Sequence, residues 1–251
     1  MKWRNHFEIA MAIAEELQLP PRLKNILKLA IIQPDREAEK VLRLNINFLP
    51  HRKRVRHHRP SRRFLRHLIW KAREAFLQGR EEDAVWCLGR ALHYIHDGSV
   101  AAGPLYVFHH RREKALEKRR VDFRAVRIGA ERSLPSPLFV DMCLRLMKPR
   151  RDPKASMYQA CMLSSAISHA VLAWPCPQLG LRYELKQAEK RHKKLILPLA
   201  YVSSFTSSFC LLILGQVQLL PLTALLALGI LRLDSSYYFY QREAQWFQFE
   251  R

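Results

Sequence analysis

Residues 195–231 contain no charged side chain and are dominated by Leu, Ile, Ala and Val, and no other feature limits the fold of this chain so strongly. A helix crossing a bilayer needs about 20 such residues, so the run admits two short crossings. Gln216, Gln218 and Pro221 supply the polar, helix-interrupting centre that a tight hairpin requires, which places helices at 195–214 and 219–238. Arg232 and Asp234 fall inside the second of these. Lys186, Lys190, Arg191, Lys193 and Lys194 precede the first, and the positive-inside tendency assigns that flank to the cytoplasm. A hairpin returns the chain to the same side, so the expectation is a multi-pass membrane protein with its soluble domain and both termini cytoplasmic. Tyr237, Tyr238, Phe239, Tyr240, Trp246 and Phe247 then form an interfacial aromatic belt. The alternative is a greasy helical hairpin buried in a soluble protein or a dimer. Ser203-Ser204 and Ser207-Ser208 offer small residues through which two copies could pack as a homo-oligomer.

Ahead of the hairpin, residues 1–190 are long enough for one domain with a sizeable apolar core, leaving 191–251 for the hairpin and an aromatic tail. Lys and Arg outnumber Asp and Glu by 43 to 22, a net charge of +21 that favours phosphate-rich partners, whether nucleic acid or an anionic membrane surface. Cys87, Cys143, Cys161, Cys176 and Cys210 are odd in number, widely spaced and mostly set in apolar runs. That pattern excludes a disulfide framework and a cysteine-based zinc site, and fits reduced thiols. His6, Glu8, Glu15 and Glu16 interrupt the apolar stretch that a cleaved secretion signal would need.

The pattern of the first 190 residues is helical throughout, and no strand alternation persists. His6, Ile9, Ala10, Ile13 and Leu17 share one face of a first helix that stops before Pro20-Pro21, so His6 points toward the core. A second helix spans 22–32, ended by Gln33-Pro34-Asp35, with Asp35 starting a turn. Ser61 caps a helix over 62–78 with Phe64, Leu65, Leu68, Ile69, Ala72 and Phe76 on its inner face. The charged run 51–59 before it reads as a solvated loop. A helix over 81–99 carries an aliphatic stripe of Ala84, Leu88, Ala91, Leu92 and Ile95, with Trp86, Gly89, His93 and Asp97 on the opposite side. That opposite side faces either solvent or, in a central helix packed all round, an internal site. Pro104 breaks the chain before a helix over about 105–120 that carries His109 and Glu113.

Two pairs in these helices carry chemistry. His93/Asp97 and His109/Glu113 each set an imidazole four residues before a carboxylate, which on a helix stacks the two side chains one turn apart. Either pair alone is most simply a surface contact. Two of them close together, with more His and Asp upstream, point instead to metal ligands, and imidazole nitrogen with carboxylate oxygen suits Zn²⁺ and its borderline neighbours.

The order His6, Pro34-Asp35, His57/His58, Ala91-Leu92-His93-Tyr94-x-x-Asp97, His109-x-x-x-Glu113 resembles the zinc-dependent phospholipase C family, all-helical phosphodiesterases related to the single-strand-specific zinc nucleases. The resemblance covers residues 3–120, and His-Tyr-x-x-Asp is its most specific part. It implies an all-α, multi-helix phospholipase C-like bundle, here followed by a transmembrane hairpin, with zinc held in a cleft between helices. Carried across, Asp35, His57 or His58, His93 and Asp97 form a first metal site. His6 with Asp97 forms a second, and His109 with Glu113 a third. Asp97 then bridges two ions, and Asp35 orients or deprotonates the attacking water. The chain departs from the pattern twice: Gly103 stands where the third site should have a histidine, which leaves His96 or His110 as substitutes, and Trp3, the counterpart of an N-terminal ligand, follows Met1 and Lys2. One to two zinc ions are therefore expected.

Three functions compete. The first is a membrane-anchored metal-dependent phosphodiesterase cleaving phospholipid or another anionic, lipid-linked phosphate ester, with Arg59, Arg62 or Arg63 available to neutralise phosphate. The second is a nuclease-like enzyme, which the charge permits but for which no basic groove interleaved with aromatic residues is present. The third is a non-catalytic metal-binding or interaction protein on the same scaffold, consistent with Gly103 and with the lack of any chemical motif in 121–190.

Overall fold

A computed structural model describes residues 1–37, 40–44, 50–55, 60–101, 106–174 and 179–247, with the backbone course alone for 40–44, 50–54, 106–110 and 179. Among the described residues the fold is all-α apart from one small ribbon. Two compact units divide the chain, Met1–Trp174 and Pro175–Arg251.

The first unit is built around α4 (Glu81–Gly98), whose last half is almost wholly buried: Leu88, Gly89 and then every residue from Ala91 to Gly98. Helices pack on it from several sides, so the face bearing Gly89, His93 and Asp97 looks inward rather than to solvent. α3 (Arg62–Leu77) lays Leu65, Leu68, Ile69, Ala72 and Phe76 against the core, its first turn closed by the Ser61 hydroxyl accepting from the Phe64 amide at 3.2 Å. Each fully buried Leu or Ile here stabilises the fold by about 1.5–3 kcal/mol. α2 (Pro21–Arg36) lies against α4 where Gly89 leaves room, since a Cβ at that position would meet the Ala30 Cβ at 2.6 Å. α1 (Trp3–Glu16) buries Asn5, His6, Ile9, Ala10 and Ile13. α5 (Tyr106–Glu117), α6 (Phe123–Glu131), α7 (Pro137–Leu146) and α8 (Pro153–Leu172) complete the unit.

Three expectations are corrected. α2 does not stop at Gln33 but runs through Pro34 to Arg36, because Pro34 lies in its last turn and costs it only one amide donor. Asp35 is consequently helical rather than the start of a turn. The charged run after position 50 is not all loop: β2 (Pro50–Arg54) pairs antiparallel with β1 (Lys40–Leu44), Arg43 opposite His51. Residues that are polar on both faces give no alternation to read.

In the second unit, α9 (Leu179–Arg191) passes through a π-helical turn at His192–Ile196 into α10 (Leu197–Ile213). The continuous run Gly180–Ile213 is long and apolar enough to cross a membrane. Gly215, at φ +70°, turns the chain into α11 (Leu220–Arg232). Here the third correction applies. The second hairpin helix ends at Arg232, and α12 (Ser235–Phe247) leaves at a 63° bend, because Asp234 caps a new helix by accepting from the Tyr237 amide at 3.3 Å. α9 packs on α12 and so belongs with the hairpin rather than with the residues before it. Across the hairpin, the Ser208 and Thr223 hydroxyls meet at 2.9 Å. Within the second unit Tyr201, Phe205 and Leu225 are 69%, 75% and 62% exposed, so the hairpin helices do not bury these side chains against each other. Among the described residues Cys87, Cys143, Cys161 and Cys210 are free thiols.

Candidate metal centre

The centre lies where three helix ends meet. α4 delivers His93 and Asp97 on successive turns, α1 delivers His6 from its first turns, and α2 delivers Asp35 from the last turn that Pro34 fails to prevent. His6 and His93 are fully buried and Asp35 is exposed, and their ligand atoms lie within 4.8 Å of one another, a cluster able to hold a metal ion.

Hydrogen bonding fixes His93. Its Nδ1 lies 2.8 Å from the Ile31 carbonyl, which can only accept, so Nδ1 carries a proton and a neutral ring keeps its lone pair on Nε2. That Nε2 stands 3.5 Å from Asp35 Oδ1 and 3.5 Å from Asp97 Oδ2. A lone pair converging with two carboxylates is repulsive unless a cation shares them. Ligand atoms about 2.0–2.1 Å from a tetrahedral zinc lie about 3.3–3.4 Å apart, close to these separations. The other oxygen of Asp97, Oδ1, faces His6 Nε2 at 3.3 Å and pairs with the Met1 ammonium, which also lies 3.1 Å from Glu113 Oε1. Asp97 thus divides its two oxygens between two sets of groups.

The electrostatics follow from burial and these neighbours. Desolvation would raise the Asp97 carboxyl, but the Met1 ammonium first, and the His6 side chain after it, hold it well below the usual carboxylate range. Burial would lower the Met1 amine, yet Asp97 and Glu113 raise it. His6 is pushed down to about 3, by desolvation first and His93 second. At neutral pH the centre therefore holds an ionised Asp97 and a neutral His6.

An open cleft of about 620 Å³, lined by Met1, Lys2, Trp3, Asp35, Glu113 and Glu117, leads in from the surface at Asp35. The Trp3 indole donates to Asp35 Oδ2 at 2.8 Å, and the Arg36 guanidinium lies over the Trp3 ring at 5.8 Å. Polar supports of this kind hold a ligand carboxylate in one orientation.

Of the residues expected at metal sites, the structure brings His6, Asp35, His93 and Asp97 together, with Glu113 beside them through the Met1 amine. His57 and His58 lie outside the described residues, as do Gly103 and Arg59. His109 sits on α5, of which only the backbone is described there. Arg62 and Arg63 are exposed in the first turn of α3. Trp3 enters through its indole, while the amine present is that of Met1. His96 was expected only as a stand-in at the third site, but it is fully buried and its Nδ1 lies 3.0 Å from His6 Nδ1. Its position three residues after His93, on the same helix face, was the available signal.

No family model matches the chain, and comparisons with curated proteins and with solved structures find no match either.

Proposed function

We propose that the first unit is a metal-dependent phosphodiesterase of the zinc-dependent phospholipase C type, acting on phospholipid or another lipid-linked phosphate ester at a membrane in which the second unit is anchored. The observation that carries this reading is the division of Asp97, with Oδ2 facing His93 at 3.5 Å and Oδ1 facing His6 at 3.3 Å, beside the His6, Asp35 and His93 cluster. His93, Asp35 and Asp97 would hold one zinc ion, and His6 with Asp97 a second. Bound there, the ions would supply a water ionised near neutral pH and neutralise charge on a phosphoryl group. Asp35, at the mouth of the cleft and held by the Trp3 indole, is placed to orient the attacking water and take its proton. The flanking Lys186, Lys190, Lys193 and Lys194 favour an anionic bilayer surface, and the positive-inside tendency assigns both ends of the hairpin to the cytoplasm.

A second reading, a metal-binding or interaction protein without turnover, draws on the Met1 ammonium, which engages Asp97 and Glu113, the carboxylates that a second and a third ion would need.

Turnover separates the two. The full-length protein in detergent, loaded with zinc, should hydrolyse bis-(p-nitrophenyl) phosphate and phospholipid in a chelator-sensitive manner. His93→Ala and Asp97→Ala should each remove nearly all of that activity, because ligands of one centre act as a unit. A wild-type protein that holds zinc yet is inert on lipid, nucleotide and generic diesters supports the non-catalytic reading, and preference for single-stranded DNA over lipid supports a nuclease.

A further inference from the structure

We propose that His96 is a positioning residue that holds His6 with its proton on Nδ1, so that the His6 Nε2 lone pair is presented to the metal centre beside Asp97. The inference deepens the metal reading of the preceding section and rests on it for its purpose, though not for its geometry.

Two ring nitrogens 3.0 Å apart can form a hydrogen bond only if one carries a proton and the other does not. His6 and His96 meet in this way through their Nδ1 atoms, and both rings are fully buried, where a second charge is disfavoured. With both rings neutral, the two must be opposite tautomers. Either His6 donates from Nδ1 and keeps a bare Nε2, or His96 donates from Nδ1 and His6 carries its proton on Nε2.

The surroundings of His6 Nε2 choose between them. This atom is buried 3.3 Å from Asp97 Oδ1, and an N–H there donates to the carboxylate when no ion is present. An ion held between the two, at a separation suited to two ligands of one metal, requires a bare Nε2 and so moves the proton to Nδ1. In the metal-loaded centre His6 therefore donates from Nδ1 to His96, and His96 carries its proton on Nε2. Stacking on His93, with ring centroids 4.4 Å apart at 17°, fixes the plane of His6, and His96 lies nearly parallel to it at 22° with centroids 5.2 Å apart, the edge-to-edge arrangement that an Nδ1–Nδ1 hydrogen bond requires. Among the described residues the His96 Nε2 atom is buried without a hydrogen bond, and the bond of the ring goes to His6 through Nδ1.

Metal-ligating imidazoles gain orientation and basicity from such an acceptor on the second nitrogen, and its loss typically weakens metal affinity about 10–100-fold. His96→Leu should therefore weaken zinc binding in the full-length protein in detergent by that factor. His96→Asn, whose amide oxygen can accept from His6 Nδ1, should stay within about threefold of wild type. The decisive readout needs no variant: ¹⁵N spectra of histidine-labelled wild type, with and without zinc, distinguish the two tautomers of each ring. The account predicts that in the zinc-loaded protein His6 is protonated on Nδ1 and bound through Nε2, with His96 protonated on Nε2. His6 protonated on Nε2 in the zinc-loaded protein, or coordination through its Nδ1, would overturn the proposal, as would unchanged affinity in a folded His96→Leu. Should that variant not fold, the wild-type spectra still decide. If wild type takes up no zinc at all, the metal reading falls, while the ¹⁵N signature of a His6–His96 hydrogen bond in the same sample still tests the pairing on which the positioning depends.

Discussion

Asp97 is a buried carboxylate whose charge is matched by the Met1 ammonium and faced by two imidazoles. Removing one partner of a buried pair leaves the other uncompensated, at a cost of about 3–5 kcal/mol. Asp97→Asn should accordingly lower the midpoint of thermal unfolding of the metal-free protein, followed by circular dichroism, and Glu113→Gln should do so less. The histidines give a pH dependence with a definite sign. His6 stays neutral in the folded protein down to about 3, whereas in the unfolded chain it protonates below about 6.5, so between those values the unfolded state binds more protons. Its contribution is complete above pH 6.5 and is lost as the pH falls toward 3. Melting of chelator-treated protein should thus move to lower temperature between about pH 7.5 and about pH 5. A midpoint that rose over that interval would contradict a neutral buried His6. At this scale, the sequence disclosed His93 and Asp97 through their helical spacing, and His6 through its place on an apolar face. It did not disclose the tautomers, because the Ile31 carbonyl that fixes His93 and the His96 ring that faces His6 are long-range partners.

The helices hold these side chains to ångström tolerances, and Gly89 is where that tolerance is tightest. Its missing Cβ would stand 2.6 Å from Ala30 Cβ and 3.2 Å from Leu27 Cδ1, so Gly89→Ala must push α2 and α4 apart. Overpacking of that kind costs about 1–3 kcal/mol. Because α2 carries Asp35 and α4 carries His93 and Asp97, the same substitution should weaken zinc binding as well as stability. A titration showing lower stability with unchanged affinity would mean that the α2–α4 spacing does not set the centre. Periodicity revealed α3 and α4 nearly to the residue and the buried face of α1. It failed where a single residue decides an element end: Pro34 reads as a stop but lies in a last turn that tolerates it, and Asp234 reads as a charge within a helix but caps the next one. In β2, Pro50–Arg54, no apolar residue alternates with the charged ones, so that strand left no periodic signal.

In the whole molecule, one unit holds the centre and the other an exposed apolar hairpin, and the account requires the second to meet lipid. Cysteine labelling at Lys2, Val217 and Glu250, in a background whose native cysteines are replaced, should modify 2 and 250 from the cytoplasmic side and 217 from the other. Opposite accessibility of 2 and 250 would leave a single crossing. The same scale carries the central claim, since every helix end at the centre has to be in place for an ion to bind. Elemental analysis of the full-length protein, purified from metal-replete expression without chelator, tests it most directly. The account predicts at least about one zinc-like ion per chain and close to two at saturation, with Asp97→Ala losing more than His109→Ala. Less than about half an equivalent in a folded wild-type protein would contradict it.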